Sequence, residues 1–216
     1  MHFPFRRPNQ RGFTLLELVV VIGMIAFITV FIGFTFSNGK GQYLEAGRRI
    51  AANMVRAART QAVLHPSTDS NADAVASAWF LIHDDPSDTE RYRRYLGIIY
   101  YQATTGGWVA GNQGILLPKG IYVRETSDIA GHTSGRRIYL NYPRAIPDTD
   151  LDKGGDRWTG YGFSPSGTFM HNGAHILLGV GRYVPETHSW KSRNPYAQAG
   201  FAIWRSGGLS PVMPIR

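Results

Sequence analysis

The chain has no cysteine among its 216 residues, so no disulfide can hold its fold and stability must come from packing. That absence assigns no compartment. Acidic residues are also few, 15 against 23 lysines and arginines, for a formal charge of +8. Arg6, Arg7 and Arg11 all precede Gly12, and without them the remainder carries about +5. A diffuse charge of that size describes a solvated surface and does not by itself specify a polyanion site. What the chain has in quantity is glycine and aromatics, with 25 Gly, 11 Tyr, 11 Phe and 5 Trp, a mixture that favours strands and turns over a helical bundle.

A further absence is local. From Leu18 to Phe36 there are 19 residues without a formal charge. As a helix they span ~28 Å, close to the ~30 Å hydrocarbon core of a bilayer. The run is too long for the apolar region of a secretory signal, and "SNGKGQ" follows it where small residues of an A-x-A type would be needed. Charge leaves the orientation open, because Lys40, Arg48 and Arg49 follow the run as closely as the three arginines precede it.

Glu17 stands at the head of this run and is its one exception. A carboxylate inside a membrane helix costs about 2.5–3.5 kcal/mol at mid-membrane, less near the interface, and calls for a partner. No Lys, Arg or His occurs between Phe13 and Phe36, so a partner must come from another chain or from a new amine. Cleavage after Gly12 creates such an amine on Phe13, largely protonated near neutral pH. Phe13 and Glu17 are one helical turn apart in one chain, and two axially staggered chains bring the amine of one to the carboxylate of the other.

These residues carry a resemblance. "GFTLLE", preceded by basic residues and followed by the long apolar helix, resembles the N-terminal signal of type IV prepilins and type II secretion pseudopilins. The resemblance implies that a prepilin peptidase cuts between Gly12 and Phe13 on the cytoplasmic side and N-methylates Phe13. It implies a single pass through the bacterial inner membrane, leader inside and C-terminal domain outside, with Glu17 as the assembly carboxylate. Its implied partners are other pilins or pseudopilins, the peptidase and an inner-membrane assembly platform.

After the glycines of "SNGKG", "QYLEAGRRIAANMVRAARTQAVLH" resumes helical periodicity. At 100° per residue Leu44, Gly47, Ala51, Met54, Val55, Ala58 and Ala62 share one arc, and Glu45, Arg48, Arg49, Arg56, Arg59 and Thr60 share another. Pro66 ends the helix. A polar connector, "STDSNADAVAS", leads to short aromatic or β-branched runs: "AWFLIH", "RYLGIIYYQA", "GIYVRE", "RRIYLNY", "GYGFS", "AHILLGVGRYV" and "GFAIWR". "QATTGGWV" and "SPSGTF" read as hairpin turns. No strand–helix alternation occurs, so the sheet should be mainly antiparallel.

The expected fold is therefore α+β and pilin-like. It comprises a leader (residues 1–12), a membrane or filament-core helix (13–36), an amphipathic helix (37–65), a linker (66–78) and a globular β domain (79–216). "AANMVRAARTQAV", "LLPKGIYV" and the late "GFSPSGTF…HILLG" segment are similar to the H-type minor pseudopilins of type II secretion and the FimT-like minor pilins. That similarity implies a minor, structural subunit of a secretion pseudopilus or a type IV pilus.

Chemistry is sparse elsewhere. Asp148, Asp150 and Asp152 are spaced as in a calcium loop, but Lys153 and Thr159 stand where that loop needs Gly and Glu, so a solvated acidic loop is the plainer reading. His83 closes a strand ahead of Pro86 and reads as part of a turn. His171 and His175 flank Asn172-Gly173, a turn signal, and Ser164 and Ser166 match no nucleophile elbow. No catalytic constellation or cofactor motif emerges. Arg91, Arg93 and Arg94 interleave with Tyr92 and Tyr95, and with Arg136 and Arg137 they form a candidate contact for single-stranded DNA at a filament tip. Exposed strand positions account for the same arginines without DNA, and the C-terminal tail holds only Arg216 as a base.

Overall fold

A computed structural model describes residues 15–37, 39–67, 76–124, 133–143, 151, 154–192 and 194–212, with the side chains of 29–40 left aside. The leader, Phe13, the connector residues 68–75, and Asp148, Asp150 and Asp152 lie outside the described residues. The chain divides into two units, Met1–Gly39 and Lys40–Arg216.

The first unit holds helix α1, Leu15–Ser37. Its described side chains, Leu15 to Ile28, are apolar all round except at Glu17, so it has no polar stripe of the kind a surface helix presents. No helix among the described residues is long and apolar enough to cross a membrane.

Helix α2, Gly39–Leu64, opens the second unit's architecture. The arc expected from its periodicity is the buried one: Leu44, Gly47, Ala51, Met54, Val55, Ala58 and Ala62 are all inside. Small side chains let the helix sit close to its neighbours. A Cβ on Gly47 would stand 3.0 Å from Ile121 Cγ2, so no larger residue fits without displacement. The helix stops two residues before Pro66, and its last turn closes with His65 N–H donating to Gln61 O at 2.9 Å.

Eleven strands follow among the described residues, all paired antiparallel. They are β1 (Ala78–His83), β2 (Tyr95–Gln102), β3 (Gly107–Ala110), β4 (Ile115–Leu116), β5 (Ile121–Val123), β6 (Arg136–Leu140), β7 (Asp156–Phe163), β8 (Gly173–Val184), β9 (Ser189–Ser192), β10 (Gln198–Trp204) and β11 (Leu209–Val212). One sheet runs β3-β2-β1-β7-β6, with β4 also on β2; the other runs β11-β10-β8-β5, with β9 extending β8. Both expected turns are present: β2 and β3 join through Gly106 at φ 66°, and "SPSGTF" closes on a Phe163–Phe169 bridge. Four strands lay outside the expected set, namely β3, β4, β9 and β11.

The main core lies between α2 and both sheets. Phe80 and Ile82 of β1, Ile176 and Leu178 of β8, and Phe201 and Ile203 of β10 all join the α2 arc there. The first sheet is covered on its other face too, by a cluster built on Trp79, Leu81, Trp108, Tyr142 and Trp158. β1 is consequently buried at every position.

Candidate functional site

Glu17 occupies the first turn of α1, beside the end of the segment that carries the sequence signal. A carboxylate there complements the partial positive charge of a helix N-terminus. Every described side chain of α1 is exposed, from Leu15 at 83% through Phe27 at 69%. An exposed apolar surface of this extent marks contact with other protein or with lipid. Glu17 is thus presented on a helix that water does not suit.

The candidate basic residues fall on two elements, the turn before β2 and strand β6. Arg91, Arg93 and Arg94 sit in the turn before β2, not on strand positions, and two of the three are half-buried. Asp88 starts that turn, its Oδ1 accepting from the backbone N–H of Glu90 at 3.1 Å and of Arg91 at 3.0 Å. Arg91 Nε is 3.5 Å from Asp88 Oδ2, and its guanidinium lies 5.2 Å from the Tyr95 ring. Arg94 donates to Leu117 O at 2.9 Å and to Glu90 O at 3.4 Å, and burial lowers its pKa.

Arg93 joins the two sheets. Its N–H donates to His83 O, its carbonyl accepts from Val123 N–H, each at 2.8 Å, and its guanidinium reaches Asp84 Oδ1 at 3.2 Å. It adopts φ 57°, an uncommon conformation for a residue with a Cβ. Tyr92 is buried and Tyr95 packs on the Trp158 cluster, so the rings expected to stack on bases are engaged inside the domain. Arg136 and Arg137 are exposed on β6, and Arg136 lies over Trp79, 5.8 Å from its ring centre.

His83 belongs to the interior. It closes β1 as expected, but its side chain is fully buried, set edge-on to Trp158 at 4.8 Å. Neither ring nitrogen has a hydrogen-bond partner, and Nε2 stands 3.6 Å from Asp156 Oδ2. Burial lowers its pKa, and the carboxylates of Asp156, Asp88 and Asp85 oppose that shift. The signal that could have found it is the uninterrupted apolar run of "AWFLI" leading into it, which marks a strand without a solvent face.

His171 lies just before β8 and His175 at its start, and burial lowers the His171 pKa. Ser164, Ser166 and Thr168 bond to one another across an exposed turn. Arg59 of α2 clamps that turn to the β10–β11 turn, donating from Nε to Gly167 O at 3.0 Å and from a terminal nitrogen to Gly207 O at 3.4 Å. Gly207 is at φ 77°, where a side chain would collide with the Gly167 carbonyl. Among the described residues, no three His, Asp or Glu side chains are grouped to hold a metal.

Comparison with known proteins places one further fact on this geometry. Residues 7–33 match the model of the prokaryotic N-terminal methylation motif. The match covers the basic residues from Arg7, the Gly12–Phe13 junction, Glu17 and the greater part of α1. Neither a curated protein nor a solved structure matches the chain.

Proposed function

We propose that the chain is a structural assembly subunit, a minor pilin or pseudopilin, rather than an enzyme. A prepilin peptidase removes residues 1–12 and methylates the amine of Phe13. The helix from Phe13 to Phe36 holds the mature subunit in the inner membrane, leader side inward and β domain outward. An ATP-driven assembly platform then passes it into a filament, with Phe13 and Glu17 setting axial register and the apolar helix forming the filament core. The similarity of "AANMVRAARTQAV" and "LLPKGIYV" to H-type and FimT-like minor subunits supports a minor place in that filament.

One observation carries the reading: the methylation motif ends inside a helix that exposes apolar side chains on every side around a single carboxylate. Filament assembly gives those side chains apolar neighbours and gives Glu17 the methylated amine of an adjacent subunit, a charge-assisted contact. A free-standing surface helix needs neither.

Mass spectrometry of the membrane-extracted chain tests the first step, and incorporation of Glu17→Ala into sheared filaments tests the second. The expected result is a methylated Phe13 start, with the variant processed normally and absent from filaments. An intact Met1–Gly12 segment overturns the reading.

A further inference from the structure

Among the described residues, nothing in the domain covers the face of α2 turned away from the core. Ala46, Asn53, Ala57 and Thr60 run along its middle and are all exposed, which leaves room for a second helix to approach closely. Arg49 and Arg56 flank that line two turns apart on the same side, both exposed. α2 contains a single carboxylate, Glu45. It is already bound by Arg48 through Nε at 2.8 Å and a terminal nitrogen at 2.6 Å, and by Arg49 Nε at 3.2 Å. The Arg48 hydrogen bonds come first among the causes that hold the Glu45 pKa near about 2. Arg56 reaches only the neutral Asn53 Oδ1, at 3.0 Å. The face is therefore small-sided and positive.

We propose that this face docks a helix of a different chain, one carrying carboxylates two turns apart opposite Arg49 and Arg56. A second copy does not fit. Laid antiparallel, two such faces set arginine against arginine; laid parallel, they set the arginines against the opposite flank, that of Tyr43 and Ile50, which carries no carboxylate. Exposed charges of this kind select partner and register more than they add affinity. The inference rests on the reading of the chain as an assembly subunit and adds the chemistry of its neighbour: the chain inserts beside acidic subunits and does not polymerise on itself through α2.

The test uses the full chain in non-ionic detergent and two helical peptides with the same alanine-rich seam. They differ only in carrying glutamate or lysine at two flanking positions, two turns apart. Fluorescence anisotropy should show the glutamate peptide binding about tenfold more tightly, a gap that closes with added salt. The double variant Arg49→Glu/Arg56→Glu should reverse the preference while its thermal unfolding stays unchanged. Equal binding of the two peptides, or binding of neither, overturns the proposal. A disulfide-linked dimer of Ala57→Cys, the only thiol in that variant, overturns it as well. An unprocessed N-terminus in the same preparation sinks the assembly reading and leaves the peptide result standing, so the two failures are distinguishable.

Discussion

The two helices obey opposite rules. α2 is amphipathic, and its apolar arc is buried between two sheets. α1 is apolar on every side, and its described side chains are exposed. Helical propensity does not explain the contrast, because α1 is helical even though runs such as Val19–Ile22 are poorer helix formers than most of α2. The difference lies in the solvent each is built for. α2 is stabilised by a partner in its own chain, and on the proposed reading α1 takes one from outside it. On that reading, folding of the domain and assembly of the subunit are carried by different stretches of sequence, and substitutions should divide them.

The largest effect should come from placing a charge in each helix in turn. Ala51 has no exposed surface, and Ala51→Asp puts an unpaired carboxylate into the core. The expected cost is about 4 kcal/mol, most of the stability of a domain at the lower end of the ordinary range. Val20→Asp in α1 should leave urea unfolding of the domain as it was, followed by tryptophan fluorescence, and should abolish membrane retention instead. If Val20→Asp destabilises the domain as Ala51→Asp does, the division between the helices fails.

The next comparison is between two arginines. Arg49 is an exposed side chain, and Arg49→Ala should change stability by less than about 0.5 kcal/mol. Arg93 is 16% exposed and paired with Asp84, which is 21% exposed, at the joint between the sheets. Arg93→Ala should cost about 2 kcal/mol by leaving that carboxylate without its nearest base. Arg93→Gly loses the same pair but relieves φ 57°, so it should be about 1 kcal/mol less damaging than alanine. Urea midpoints of the three variants decide this, and equal losses at positions 49 and 93 would remove the structural role assigned to Arg93.

How far each of these was legible in the sequence follows from the range of the interactions involved. The α2 arc could be read because periodicity is local and Leu44, Ala51, Val55, Ala58 and Ala62 repeat it over several turns. β1 was legible as a strand, but not its burial on both faces, because "AWFLIH" has no polar alternation to reveal a solvent side. β9, "SWKS", and β11, "LSPV", are short and partly polar, and the edges of β8 and β10 are what make them strands. Arg93 and Arg94 were legible as basic and no more. Their partners Asp84, Leu117 and Val123 come together only when the sheets close. Glu17 was legible as a lone charge at the head of an apolar helix, since that pattern shows without tertiary structure.

The smallest expected effect concerns the ionisable group that the domain hides, as α1 displays Glu17. His83 is buried with neither ring nitrogen bonded, and burial holds its pKa below the ordinary 6.5. A group whose folded pKa is depressed gives stability above its unfolded pKa and loses it as pH falls toward the folded value. Wild type should therefore weaken as pH drops below about 6.5, because the unfolded chain takes the proton first. His83→Phe keeps a ring edge-on to Trp158 and removes both the proton and the unbonded nitrogens. Between about pH 7.5 and pH 5.5 the difference in stability should move in the variant's favour by up to ~1.4 kcal/mol. Urea unfolding at both pH values measures the gap. His171, whose pKa burial also lowers, is common to both chains and cancels in the difference. A gap that does not open on acidification means that His83 carries its proton inside the fold, held by Asp156, and the interior of the domain then tolerates a charge that the comparison with α1 denies it.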